Sequence, residues 1–188
     1  MSTPSNSANL SPWANGPLPP NVRVGAGTVI GGNSIGGQGV AMFGGIVGGN
    51  GSEIHTLNNK GTIIGGATGA GGLAISGDQN ATDVIYNSGT IRGDVDLISR
   101  KPGATGDANT FNNQAGGVFN SGSIVKLGAA EFKQHQLNNS GTISPGGDGT
   151  IRTTNVQGDF FQGVGGILKV DANWATGKSA LFASYVGV

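Results

Sequence analysis

The sequence predicts an all-β chain wound as a right-handed parallel β-helix, a solenoid with Gly- and Asn-rich turns. Three observations carry that prediction. A short string recurs in phase: LNNKGTI at Leu57–Ile63, IYNSGTI at Ile85–Ile91 and LNNSGTI at Leu137–Ile143, with a looser FNNQAGGV at Phe111–Val118. The copies start 28, 26 and 26 residues apart, a period that marks stacked structural units. Glycine supplies 38 of 188 residues and charged types only 11%, while 36% hydrophobic residues fall in short bounded runs. That balance suits a turn-rich ordered chain rather than a disordered one. Helical periodicity is absent from every useful window.

Taken in order, residues 1–21 read as an extended or disordered leader. Pro4, Pro12, Pro17, Pro19 and Pro20 fall within it, and such a stretch favours extended backbone. It has neither the basic region nor the apolar run of a secretion signal. Residues 22–50 form a Gly-rich, degenerate first coil or two, as terminal repeats often are. Each later unit is a strand end, a sharp turn and a new strand. Asn and Gly tolerate the left-handed backbone of such turns, and Thr and Ile are strand formers. Stretches such as ATDVIY, GDVDLI and SIVKL supply further short strands. The helix is expected over 22–175, with roughly five to seven coils at about 4.8 Å spacing. Leu, Ile and Phe point inward, and Asn59, Asn87, Asn113 and Asn139 stack on one edge as an amide ladder. Residues 176–188 form an end of uncertain register.

Charge excludes some functions. Ten basic residues balance ten acidic ones, which leaves no electrostatic footprint for nucleic acid. Without cysteine there is no disulfide and no thiolate metal site. That absence is compatible with export of an unfolded chain through an oxidising compartment. No apolar run approaches the roughly 18 residues of a membrane-spanning helix.

Two longer stretches carry a family resemblance. One is Phe111–Gly128, FNNQAGGVFNSGSIVKLG. The other is Leu137–Phe182, in which NNSGTISPG, GDFFQ and GGILKVD follow one another. With the earlier N-x-G-T-I copies, these resemble the passenger domains of bacterial autotransporters, the pertactin-like type V secreted proteins. The likeness covers most of residues 55–182. It implies a rod-like, non-catalytic passenger stalk at the cell surface or secreted, plausibly adhesin-like. Its C-terminal part would be the folding core, its partners a host cell or matrix surface. It also implies an outer-membrane barrel after the passenger and a signal peptide before it. Neither lies within these 188 residues, so the chain is expected to be a fragment or a truncated product. The competing class is a β-helical polysaccharide-cleaving enzyme.

Several motifs invite sharper readings. Ala172–Ser179, ANWATGKS, fits the relaxed phosphate-loop pattern, but that loop needs a following helix and a parallel βαβ context. Neither is legible here; the segment reads as a last strand and turn, with Trp174 capping the end of the rod. Gly69–Ala74 fits a dinucleotide fingerprint only formally. Gly146–Ile151 starts like a calcium repeat but holds Ile151 where Asp is required. No nucleotide, metal or other cofactor is therefore expected. His55 and His135 share one phase of the repeat, three coils or roughly 14 Å apart. That is too far for a shared metal, so both read as solvated positions. Asp94 and Asp96 share a strand face, as a glycosidase pair would, but the chain's ten acidic residues are spread too thinly to furnish such a cleft, and the pair reads as a solvent-facing strand. Arg92, Gly93 and Asp94 form the candidate adhesion motif; it needs a protruding loop and would lie flat if TIRGDVDL is one strand.

Overall fold

A computed structural model describes residues 21–24, 28–30, 40–41, 53–65, 72–77, 81–97, 108–128 and 134–185. Apart from Asn21, the expected leader lies outside them. Every described element is a strand. A first coil contributes β1 (Asn21–Val24), β2 (Thr28–Ile30) and β3 (Val40–Ala41). The second contributes β4 (Glu53–Asn59), β5 (Thr62–Ile64) and β6 (Leu73–Ser76). Then come β7 (Ala81–Asn87) with β8 (Thr90–Asp96), and β9 (Thr110–Asn113) with β10 (Val118–Lys126). The next coil holds β11 (Gln136–Asn139), β12 (Thr142–Pro145) and β13 (Thr153–Gln157). The last holds β14 (Asp159–Gln162), β15 (Ile167–Leu168), a hairpin of β16 (Ala172–Asn173) and β17 (Lys178–Ser179), and β18 (Leu181–Tyr185).

Pairing between coils is parallel throughout. The result is a parallel β-solenoid with three walls. One wall stacks β1, β4, β7, β9, β11 and β14. The second stacks β2, β5, the first half of β8, the first half of β10, β12 and β15. The third runs through β3, β6, the second halves of β8 and β10, β13 and β18. Strands β8 and β10 thus turn a corner without ending. Gly93 bends β8 at φ +131°, and the register slips in β10 between Ser121 and Val125. Stacking continues past residue 175, because Leu181–Tyr185 pairs with Thr153–Gln157.

Alternation along each strand sends every second side chain inward, as the interior–exterior pattern of β8 shows. Register then piles like on like. Leu57, Ile85, Phe111 and Leu137 line the first wall, and Ile63, Ile91, Phe119 and Ile143 the second; Ile75, Val95, Val125 and Val156 line the third. All are fully buried. Each such side chain contributes about 1.5–3 kcal/mol on burial. Phe111 and Phe119 meet across the coil at 4.8 Å between centroids.

Some turn glycines adopt the left-handed backbone expected of them, Gly116 at φ +81° and Gly165 at φ +80° among them, but others serve a different purpose. Gly89, Gly117 and Gly141 do not adopt left-handed backbone. A Cβ on Gly89 would run into the Gly61 carbonyl oxygen, one on Gly117 into that of Asn87, and one on Gly141 into that of Gly117. Glycine is required there because consecutive corners press backbone against backbone.

Candidate functional site

The polar groups with the most developed geometry are inside the solenoid. At the corner between the first two walls, Asn59 Nδ2 donates to Asn87 Oδ1 at 2.7 Å. Asn87 Nδ2 donates to Asn113 Oδ1 and Asn113 Nδ2 to Asn139 Oδ1, both at 2.8 Å. Asn139 Nδ2 ends the run on Gln162 Oε1 at 3.1 Å. Each amide also donates to a backbone carbonyl one coil on: Thr90, Val118, Thr142 and Ile167, at 3.1–3.2 Å. The four asparagines are buried, so the expected stack exists but sits within the corner rather than on an open edge. Gln162 is the member the sequence hides, because only 23 residues separate it from Asn139.

A second polar column corrects the reading of the histidines. His55 is 9% exposed and His135 3%; neither is solvated. Asp83 and Asn109 occupy the two coils between them, and both are buried. His55 Nδ1 stands 3.3 Å from Asp83 Oδ1. The Asp83 N–H donates to Asn109 Oδ1 at 2.8 Å, and the Asn109 N–H donates to His135 Nδ1 at 3.1 Å. Asn109 Nδ2 donates to the Leu97 and Leu127 carbonyls. Burial is tolerated because His55 and Asp83 pair with each other and Asp83, Asn109 and His135 are linked by hydrogen bonds. The wall behind them is glycine: a Cβ on Gly77 would overlap the Asp83 carboxylate, and one on Gly128 the His135 ring. The signal was present in sequence, since Asp83 and Asn109 precede Ile85 and Phe111 by two residues, as the histidines precede Leu57 and Leu137.

Arg92, Gly93 and Asp94 lie in the continuous strand β8, in the wall and not at a loop tip. Arg92 is exposed and Gly93 buried; a Cβ on Gly93 would strike the Gly72 carbonyl. Asp94 is half-buried and accepts the Ile124 N–H at 2.9 Å. Burial holds its carboxyl above the usual range, partly offset by backbone hydrogen bonds from Ile124 and Ser123 and by the charge of Arg152. Asp96 points from the same face, 3.7 Å from Lys126 Nζ one coil on.

The phosphate-loop match is a β-hairpin. Ala172 and Asn173 pair antiparallel with Ser179 and Lys178. Asn173 Oδ1 accepts the Ala175 and Thr176 N–H groups, and Gly177 adopts φ +64°. A strand follows, so the helix N-terminus that such a loop requires is missing from this segment. Trp174 is 93% exposed at the hairpin tip and caps nothing, contrary to the expectation. The hairpin projects between two walls, so its tip has no core beneath it.

Of the Gly69–Ala74 fingerprint, the first three residues lie outside the described ones, and Leu73–Ser76 is a strand. In the Gly146–Ile151 loop, Asp148 pairs with Lys169 at 2.7 Å and the Gly149 N–H donates to Asp171. Among the described residues no group of three metal-ligating side chains converges, and no helix is long and apolar enough to cross a membrane. Comparison with known proteins gives no match to a family model, a curated protein or a solved structure.

Proposed function

We propose that the chain is a non-catalytic, surface-exposed passenger stalk of the autotransporter type, adhesive in role, with its C-terminal coils as the folding core. One observation carries the reading. The strings NNSGTISP, GDFFQ and GGIL, whose order resembles the end of such passengers, occupy consecutive rungs of one solenoid, as β11–β12, β14 and β15. The buried polar groups support it too, since the amide ladder spends its donors on holding coils together. The partners of such a stalk are a host cell or matrix surface and an outer-membrane barrel.

The test places the chain between a secretion signal and an outer-membrane β-barrel in a Gram-negative host. Display of the folded chain on intact cells, removable by external protease, is the expected result; retention in the periplasm overturns the proposal. Purified protein is also expected to bind immobilised matrix or host cells. Loss of that binding in Asp94→Glu assigns it to Arg92-Gly93-Asp94, and unchanged binding assigns it to another part of the rod.

A further inference from the structure

We propose that the buried column of His55, Asp83, Asn109 and His135 contains an acid-operated latch, closed at neutral pH and released by protonation of His135 at the junction between β9 and β11. The chain has only two histidines, and both are buried in this column. An imidazole ordinarily takes up its proton at about pH 6.5, so a small change of acidity acts on these two residues before any carboxylate of ordinary value.

The two rings answer acid in opposite ways. His55 Nδ1 stands 3.3 Å from Asp83 Oδ1, so a positive ring there meets a carboxylate and is favoured. His135 Nδ1 instead accepts the Asn109 N–H at 3.1 Å. An accepting ring nitrogen carries no hydrogen, which places the hydrogen of the neutral ring on Nε2. The next proton goes to Nδ1. The bond then becomes two donors pointed at each other, one of them positive, in the interior of the solenoid. A backbone N–H cannot shed its hydrogen, so one side has to move. Both sides are held. The His135 ring is seated against Gly128, where a Cβ would overlap its Nε2, Cδ2 and Cε1. Asn109 is fixed by its side chain, whose Oδ1 accepts the Asp83 N–H and whose Nδ2 donates to the Leu97 and Leu127 carbonyls.

The surrounding charges come from each neighbouring element. Asp83 of β7 lies beyond Asn109 and faces His55. Asp159 opens β14; its N–H donates to the His135 carbonyl at 2.8 Å, and its side chain takes a half-buried position paired with Gln136. Asp96 and Lys126, near the ends of β8 and β10, stand 3.7 Å apart and engage each other. None of them receives a new hydrogen on His135 Nδ1, because that direction is filled by the Asn109 N–H. Relief comes by parting the two coils, which also breaks the 3.0 Å bond from the Gln136 N–H to the Asn109 carbonyl, where the pairing of β9 with β11 begins. An opened ring takes its proton freely, and a closed one takes it only by losing the bond. The latch therefore holds above about pH 6.5 and weakens as pH falls below it.

The preceding coil supplies the control. Asn109 Oδ1 accepts the Asp83 N–H as His135 Nδ1 accepts that of Asn109, and an amide does not titrate. His135→Asn thus keeps an acceptor and removes the proton site. Urea unfolding of both proteins from about pH 8 to 5 is expected to show the wild-type unfolding constant rising, relative to the variant's, by a factor approaching tenfold per pH unit below about 6.5, as one linked proton requires. Parallel curves for the wild type and a folded variant overturn the proposal. Should His135→Asn fail to fold, nitrogen-15 NMR of the wild type decides. The Asn109 and Gln136 amide signals are expected to shift or broaden as pH falls, in step with protonation of His135. A charged His135 with those signals unmoved, or signals that stay sharp and in place down to about pH 5, overturns it.

Discussion

Asn113 shows how much one side chain can hold. It accepts from Asn87, donates to Asn139, and donates again to the Thr142 carbonyl. Removing it leaves one N–H of the buried Asn87 amide without its acceptor, which costs about 1–3 kcal/mol, and takes a donor from Asn139 Oδ1 and from the Thr142 carbonyl. Asn113→Ala is therefore expected to lower the denaturant midpoint strongly, while Asn120→Ala on the half-buried exterior moves it little; equilibrium unfolding in urea compares the two. Asp94 works in the opposite direction. Its carboxyl titrates above the usual value because burial disfavours the charge. The folded state then binds the proton more tightly than the unfolded state does. The stabilisation from protonation is complete below the unfolded value and is lost as pH rises through the folded one. Asp94→Asn keeps an oxygen for the Ile124 N–H and removes the charge. It is expected to be as stable as wild type or more so at neutral pH, with the difference vanishing as pH falls towards 4, as thermal melts across that range will show.

At the scale of elements, the sequence is most legible where the repeat is closest. The copies beginning at Leu57, Ile85, Phe111 and Leu137 announce the strands β4, β7, β9 and β11 and the ladder asparagines, because one corner geometry imposes the same residues each time. The histidine column was legible in phase but not in burial: the space that admits Asp83 and His135 is made by the missing side chains of Gly77 and Gly128, on the strand ends that precede them. Gly116 and Gly165 take the left-handed turns the sequence announces, whereas the need for Gly89, Gly117 and Gly141 was not legible, since crowding between coils is invisible along one coil. The hairpin at 172–179 follows no repeat, so nothing in the sequence told whether Trp174 points at the core or at solvent. Its exposure has a direct readout. In a Trp13→Phe background, Trp174 emission is expected to be solvent-like and fully quenched by acrylamide before unfolding, and Trp174→Ala to leave the melting temperature unchanged. A blue-shifted, protected emission would return Trp174 to the capping role.

For the whole molecule, stability has no single centre. Every coil touches only the coils before and after it, so its stability is the sum of its own term and two interfaces. Interior coils have both interfaces; among the described residues the rung of β14, β15 and β18 has one. Among the described residues the fully buried inner ones run from Leu57 to Val156, while Phe160 and Phe182 are only partly covered. Local opening should therefore begin at the C-terminal rung and propagate inward. Amide hydrogen exchange followed by mass spectrometry is expected to show the slowest exchange in β7–β12 and distinctly faster exchange in β14, β15 and β18. If the last rung is already as protected as the middle in dilute monomer, its strand edges are covered from within, and the nearest-neighbour account of this solenoid fails at that end.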